Sequence, residues 1–266
     1  MSHKNYIVFI ILFFIAACSS NKYAATNKVY KKQAKALAKE IRTYPAEGGK
    51  ATWVGTTNFG LRKPNFVIIH HTAQNSCDQT LKTFTLPRTQ VSAHYVICKD
   101  GTVHHMLNDY LRAWHAGKGS WGNDKDINSS SIGIELDNNG FEPFTELQIN
   151  SLLTVLDTLK RKYSIPGSNF IGHSDIAPGR KVDPNTAFPW QMLSQKGYGL
   201  WYGDTSKIIV SENFNSLLAL RVIGYSISDT SAAISAFKRH FTQQDSTREI
   251  SEGDKKILYD LMLKYQ

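Results

Sequence analysis

Two stretches of the chain carry side chains that can bind a metal ion. In the first, the apolar run Phe66–Ile69 leads directly into His70 and His71, which predicts a buried strand whose end opens into a site. The second stretch, residues 171–184, contains glycines and prolines that exclude a long helix or strand, so we expect a loop. Its side chains suited to chemistry are His173, Asp175, Lys181 and Asp183.

Two imidazoles and one carboxylate form a common catalytic zinc set, in which the fourth position is left for water. Bound zinc lowers the pKa of that water toward about 7 and polarises a carbonyl oxygen. The spacing alone leaves two choices open, since it does not select between His70 and His71 or between Asp175 and Asp183. The cysteines are weak candidates for the metal because they form no paired-cysteine motif.

The elements that position these residues alternate between strands and helices, which predicts an α/β domain over residues 45–202. Further strands are predicted at Val91–Cys98, Val103–Leu107 and Ser131–Leu136. Helices are predicted at Thr80–Leu86 and Thr145–Tyr163. Thr145 and Gln148 are expected to form a capping box at the start of the second helix. Glu135 is an acid within an otherwise apolar strand, which makes it a further candidate for chemistry.

The sequence pattern of residues 203–266 predicts a small appended module of three short helices. The first is expected to end at Gly224, the second to begin at Asp229, and the third to begin at Ser251 with Asp254. This module carries no catalytic set of its own in the sequence.

The N-terminus predicts export. Lys4 precedes an apolar run, Tyr6–Ala17, that is too short to span a bilayer but suits a signal-peptide core. Small residues before Cys18 and a polar stretch after it resemble a bacterial lipoprotein signal, with residues 1–17 removed and Cys18 lipidated. An ordinary signal peptide is the alternative. Ser19 at the second mature position favours the outer membrane, so we expect a lipoprotein facing the periplasm of a Gram-negative bacterium.

Residues 18–44 are expected to hold a polar tether and a helix from Val29 to Arg42. That helix could rest on anionic headgroups or pack on its own domain. The net charge of +9 favours an anionic partner. No nucleic-acid-binding pattern is present in the sequence, so we expect no nucleic-acid partner and a monomeric chain. In an oxidising compartment Cys77 and Cys98 could pair, although Cys98 could equally be a buried thiol.

Six motifs in order resemble the zinc-dependent type 2 N-acetylmuramoyl-L-alanine amidases, and the lipoprotein signal and helical tail are most similar to outer-membrane lipoprotein members. The motifs are residues 69–73, 92–95, 113–117, 131–136, 173–184 and 188–190. The resemblance implies a central mixed β-sheet flanked by helices. It also implies that residues 203–266 are a three-helix peptidoglycan-binding domain, for which a plain stabilising extension is the alternative.

The resemblance further implies that one Zn²⁺ per chain is bound by His70, His173 and Asp183. Alternation along the strand agrees with a single ligand from the histidine pair, because His70 and His71 should face opposite ways. Asp175 then becomes a structural residue in a local turn or helix cap.

The resemblance assigns two catalytic residues. Glu135 would take a proton from the water and pass it to the leaving amine, and its apolar neighbours should raise its pKa. Lys181 would stabilise the oxyanion. The blander alternatives are a buried glutamate paired for stability and a solvated loop lysine.

Other residues are expected to contact substrate or to hydrogen-bond a ligand histidine. This set comprises His71, His94, Trp114 and His115. Trp121 could stack on a sugar or belong to the core.

The function implied is hydrolysis of the amide between the lactyl group of N-acetylmuramic acid and L-alanine in peptidoglycan or muropeptides. The alternatives are a non-catalytic peptidoglycan-binding protein and a zinc peptidase that acts within the stem peptide.

Overall fold

We describe a computed structural model of the protein, which covers residues 22–41, 56, 58, 60, 61, 63–243 and 247–266. The predicted signal peptide and Cys18 lie outside these residues. Helix α1, Ala24–Ile41, belongs to a different unit from residues 60–266, which form one compact unit. No helix in the described part of the chain is both long enough and apolar enough to cross a membrane.

The compact unit is built on a five-stranded mixed sheet, which confirms the predicted fold class. Its strands are β1 (Phe66–His71), β2 (Tyr95–Ile97), β3 (Val103–His105), β4 (Ser131–Leu136) and β5 (Phe170–Gly172). They lie in the order β3-β2-β4-β1-β5. The pairs β1–β4, β1–β5 and β2–β4 are parallel, and β2–β3 is antiparallel. The carboxyl ends of four strands therefore share one edge, where open α/β sheets bind their ligands.

Within its described residues, the unit also contains two short 3-10 helices, Pro87–Thr89 and Gly167–Asn169, as well as seven α-helices and one helical turn. The α-helices and the turn are α2 (Cys77–Thr85), α3 (Ile127–Ser130), α4 (Glu146–Tyr163), the turn α5 (His173–Ile176), α6 (Trp190–Gln195), α7 (Ser216–Ile223), α8 (Thr230–Phe241) and α9 (Glu252–Tyr265).

One face of the sheet packs against α4. Alternate strand residues such as Ile69, Ile132 and Ile134 form a buried cluster with Leu152 and Leu156 of that helix. The predicted capping box at its start forms only in half, because Thr145 Oγ1 accepts from Gln148 N at 3.1 Å. The Gln148 side chain instead donates to the backbone carbonyls of Ile97 and Asp137, so it ties the helix to the sheet.

The other face packs against the C-terminal helices. Ile68 and Ile171 of the sheet share one buried cluster with Leu220 of α7, Phe237 of α8 and Leu258 of α9. The three helices predicted from the sequence are present, and their caps at Gly224, Asp229 and Ser251 form as expected. The structure packs these three helices against the sheet in this shared cluster. Whether they bind peptidoglycan stays a prediction.

Several predicted elements differ in extent. The helix predicted at Val29–Arg42 is Ala24–Ile41, the helix predicted at Thr80–Leu86 is Cys77–Thr85, and the strand predicted at Val103–Leu107 ends at His105. The strand predicted at Val91–Cys98 is limited to Tyr95–Ile97, because the backbone before it bonds elsewhere: Ser92 N donates to Trp114 O at 3.1 Å. In the stretch 171–184, expected as a loop, the first two residues end strand β5, and the single helical turn α5 follows with His173 as its first residue.

Candidate active site

Three buried side chains meet at the carboxyl edge of the sheet. His70 Nδ1 lies 2.8 Å from His173 Nδ1 and 3.1 Å from Asp183 Oδ2, and His173 Nδ1 lies 3.0 Å from the same oxygen. Ligand atoms about 2.0 Å from a tetrahedral zinc ion are roughly 3.3 Å apart, so the triangle is slightly tighter than a loaded site. Of the two choices left open by spacing, the structure brings together His70 and Asp183.

The outward nitrogens of both histidines show which nitrogens face the metal position. His173 Nε2 lies 3.1 Å from the carbonyl of Ala116. A carbonyl can only accept, so this nitrogen carries the proton and a neutral His173 presents an unprotonated Nδ1.

For His70 the same conclusion follows through a chain of bonds. Ser131 Oγ donates to the Ile127 carbonyl, and it lies 3.1 Å from His115 Nε2, from which it accepts. His115 Nδ1 is then free to accept from His70 Nε2, at 3.1 Å. His70 Nδ1 is left with a lone pair that points at the metal position. Two imidazole lone pairs and a carboxylate oxygen converging in a buried space fit a divalent cation.

Burial tunes these groups for ligation. It lowers the pKa of His70 to about 4, and His173 beside it acts in the same direction, so His70 is neutral at pH 7. The pKa of His115 is held well below its usual value, first by burial and then by His70 and His94. Burial opposes ionisation of Asp183, but the two neighbouring imidazoles outweigh it, and the pKa of Asp183 is lowered.

Glu135 lies beside His70. The two residues are register partners on the parallel strands β4 and β1. Burial raises the pKa of Glu135 to about 8, the charge of Asp183 adds to this, and Lys181 opposes it. Glu135 Oε2 is buried and has no hydrogen-bond partner among the described residues. The alternative of a glutamate paired for stability therefore finds no support, and the oxygen is available to a bound molecule.

Lys181 is half-buried on the ligand loop, two residues before Asp183. Its charge acts on His70 and Glu135, which places the ammonium near both. Within the described residues it forms no hydrogen bond or ion pair through its side chain. A cation held beside the site without a carboxylate partner suits a developing negative charge.

The other residues predicted to contact substrate or a ligand histidine lie in different environments. His71 faces away from the metal position, and its Nδ1 accepts from Asn185 N at 3.1 Å, so it supports the loop that follows Asp183. Trp114 is 54% exposed and can meet a ligand. Trp121 is 7% exposed and packs on Tyr225, so it belongs to the core rather than to a sugar-binding surface.

His94 does not take either expected role. It is completely buried, its Nδ1 accepts from Gly133 N at 3.1 Å and its Nε2 donates to Leu111 O at 2.9 Å. Both nitrogens are used by backbone, so His94 bonds no ligand histidine and is inaccessible to substrate. His115 does bond a ligand histidine, and its ring lies directly on Gly133, where a Cβ would come within 2.4 Å of it.

Two supporting residues were missed by the sequence reasoning. Asn128 Oδ1 accepts from the backbone N–H groups of His115 and Ala116, at 3.0 and 2.9 Å. The Arg180 guanidinium donates to the Ala116 carbonyl at 2.6 Å, the same oxygen that fixes His173. Arg180 lies within the motif 173–184, so the motif could have identified it as a residue of the site. Asn128 gave none, because its partners are twelve or more residues away.

The cysteines left open by the sequence are joined. Cys77 and Cys98 form a disulfide that connects the start of α2 to the residue after β2. His104 lies near the two sulfur atoms. Sulfurs bonded to each other are not thiolate ligands, so this group does not compete with the His70 site for zinc.

The fold and the site together describe an α/β protein in which two histidines and one carboxylate that could hold a metal ion meet at the edge of the sheet. Residues 60–186 match the family model described as N-acetylmuramoyl-L-alanine amidase. This match confirms the resemblance seen in the motifs of the chain.

Individual amidases are also similar to this chain. AmiD of Escherichia coli (strain K12) is 36% identical over 151 residues, which is 51% of this chain and 54% of AmiD. The match therefore spans about half the length of that relative. A solved complex of Escherichia coli AmiD with the substrate anhydro-N-acetylmuramic acid-L-Ala-D-gamma-Glu-L-Lys has a TM-score of 0.70 and 28% identity, and covers 79% of this chain and 93% of that one.

A second solved relative is AmpDh3 of Pseudomonas aeruginosa in complex with anhydromuramic pentapeptide. It has a TM-score of 0.71 and 27% identity, and covers 82% of this chain and 98% of that one. Because this coverage extends beyond residues 60–186, the likeness includes part of the chain outside the family model.

Proposed function

We propose that the protein hydrolyses the amide between the lactyl group of N-acetylmuramic acid and L-alanine in peptidoglycan fragments, with one Zn²⁺ per chain. The observation that carries the proposal is the convergence of His70 Nδ1, His173 Nδ1 and Asp183 Oδ2 beside an unpartnered Glu135 oxygen. The names of both solved relatives' ligands, anhydromuramyl peptides, support a substrate of this class.

His70, His173 and Asp183 would hold the metal. When bound, zinc supplies Lewis acidity and lowers the pKa of a coordinated water toward about 7. Glu135 in its carboxylate form, which the charge of a bound cation would favour, accepts the proton of the attacking water and delivers it to the alanine nitrogen as the amide bond breaks. Lys181 places its charge beside the carbonyl oxygen as that oxygen becomes negative. The exposed ring of Trp114 offers a surface for the sugar.

The direct test is incubation of the purified protein with muropeptides of known structure, followed by mass spectrometry of the products. We expect free stem peptide and peptide-free muramic acid, and no products after treatment with a chelator. Binding without products would favour a non-catalytic peptidoglycan-binding protein. A shortened peptide still joined to muramic acid would favour a zinc peptidase.

We also propose that the protein is a lipoprotein of the outer membrane, anchored through Cys18 and facing the periplasm. The signal-like run Tyr6–Ala17 and Ser19 support this, and a disulfide suits an oxidising compartment. Labelling cells with a radioactive fatty acid tests it. We expect label on the wild type and none on Cys18→Ala, with Cys77→Ser/Cys98→Ser as the control that retains it. Label on Cys18→Ala, or a wild type without label, would contradict the proposal.

A further inference from the structure

The carboxylate of Asp175 connects the metal site to the C-terminal helices. Asp175 lies two residues after the ligand His173, on the helical turn α5, and is completely buried. Its Oδ2 accepts from Gly172 N at 2.7 Å, so the side chain closes the turn at which His173 begins. From the sequence, Asp175 was expected only to hold a local turn or helix cap.

The other two bonds to this carboxylate come from residues 50 and 65 positions further along the chain. Tyr225 Oη donates to Asp175 Oδ1 at 2.7 Å. His240 Nδ1 donates to Asp175 Oδ2, also at 2.7 Å. Tyr225 follows α7 and His240 lies on α8, and both side chains are buried. Three donors converging on one buried carboxylate fix its position closely.

His240 is itself held in orientation. Its ring stacks on Trp190 with centroids 4.0 Å apart and an interplanar angle of 16°. Trp190 opens α6, immediately after the segment that carries Asp183. His240 of α8 therefore contacts the chain at two places, at Asp175 between the ligands His173 and Asp183 and at Trp190 after them.

A displacement of α5 would move two ligands together. His173 is its first residue, and Ser174 N donates to the backbone carbonyl of Asp183 at 2.8 Å. The second and third ligands are thus coupled through one turn, and that turn is held by the Asp175 carboxylate.

We propose that Tyr225 and His240 are positioning residues that act through Asp175 on His173 and Asp183, which makes the C-terminal helices part of the metal centre. The proposal rests on the proposed zinc amidase function, and deepens it. It differs from the expected peptidoglycan-binding role because it assigns these residues an effect on the metal rather than on the glycan.

The test compares three variants of the full chain. Tyr225→Phe removes one hydroxyl, and His240→Phe keeps an aromatic ring on Trp190 but removes the donor. His240→Asn returns a donor close to the position of Nδ1. This variant loses the stacking on Trp190 but no other hydrogen bond, because His240 Nε2 has no partner among the described residues. Ile223→Val, in the same core, serves as a control that lowers stability without touching Asp175.

The main readout is zinc affinity, measured by competition with a chromogenic chelator. We expect Tyr225→Phe and His240→Phe to weaken zinc binding about tenfold or more, the usual effect of removing a group that orients a ligand. His240→Asn should recover part of this, and Ile223→Val should bind like the wild type. On muropeptide substrate at saturating zinc, kcat should fall while KM stays near the wild-type value.

Wild-type zinc affinity in both Tyr225→Phe and His240→Phe, with only a lower melting temperature, would overturn the proposal. Equal weakening by Ile223→Val would do the same, since it would reduce the effect to general stability. If Tyr225→Phe fails to fold, the contrast between His240→Phe and His240→Asn decides. Failure of the amidase function is distinguishable, because it would show as a zinc-loaded wild type without turnover.

Discussion

The Nδ1 atoms of His70 and His173 face each other at 2.8 Å, and the outer nitrogen of each ring is held by a chain that ends on a backbone carbonyl. This relationship decides the chemistry of the site. Both rings are fixed in the tautomer that presents a lone pair inward, and Asp183 adds a carboxylate oxygen. A divalent ion satisfies all three groups at once.

Replacement of Glu135 by glutamine should abolish most activity without loss of the metal. The amide keeps the shape of the side chain but cannot accept a proton, and proton transfer by such groups contributes about 10²–10⁴-fold in rate. We expect kcat to fall by that range while zinc affinity stays unchanged, since Glu135 is not among the three converging groups. Steady-state kinetics beside metal analysis measures both. A variant with near wild-type kcat would remove Glu135 from the mechanism.

The same substitution should change how the stability of the metal-free protein depends on pH. The pKa of Glu135 is raised from 4.5 to about 8, chiefly by burial. The folded state thus favours the protonated form of Glu135. The contribution of this group to the free energy of unfolding is fully present below pH 4.5 and is lost as the pH rises toward 8. Glu135→Gln cannot ionise, so it should not show this loss.

Urea unfolding of the two metal-free proteins across a pH series checks the sign. We expect equal free energies of unfolding near pH 4. At pH 8.5 the variant should be more stable, on the order of a few kcal/mol, because each unit of pKa shift corresponds to about 1.4 kcal/mol. Parallel curves over the whole range would show that the glutamate is not destabilised by burial.

Removal of Lys181 should affect rate alone. Its side chain has no hydrogen-bond or ion-pair partner within the described residues, so Lys181→Ala should leave the melting temperature and the zinc content unchanged. Loss of a group that stabilises an oxyanion typically lowers kcat about 100-fold or more. Lys118→Ala, an exposed lysine on a neighbouring loop, is the matched control and should be silent. Equal kinetics for the two variants would count against the role of Lys181.

Substitutions of His115 and His94 should differ in their effect on zinc affinity. His115 bonds the ligand His70, so His115→Ala should weaken zinc binding about 10–100-fold. His94 bonds only backbone groups, and His94→Gln should lower stability while zinc affinity stays largely unchanged. Isothermal titration with zinc and thermal unfolding distinguish these results. A reversed pattern would show that the chain from His70 to Ser131 does not orient the ligand.

Local periodicity and capping residues predicted the strands and the long helix α4, and the ordered motifs, through the family resemblance, predicted the residues that meet at the metal position. Neither kind of pattern predicted the contacts that depend on distant partners. Gln148 was expected to cap its own helix but bonds the sheet, because carbonyls of β2 and of the residue after β4 lie within its reach. His94 resembled a site residue, yet the backbone of Gly133 and Leu111 takes both its nitrogens.

The C-terminal helices show the same limit. Their starts and ends follow from cap residues, so they were predictable one by one. Their packing onto the sheet, and the contacts of Tyr225 and His240 with Asp175, are made across 50 and 65 residues of chain and leave no spacing pattern to read.

The central claim is one metal ion held by His70, His173 and Asp183, and metal analysis of the purified protein after loading with zinc tests it most directly. The account predicts one zinc per chain for the wild type and for His104→Ala, which alters the histidine beside the disulfide. It predicts essentially none for His173→Ala, together with loss of turnover. A His173→Ala protein that retains one zinc and undiminished turnover would contradict the account.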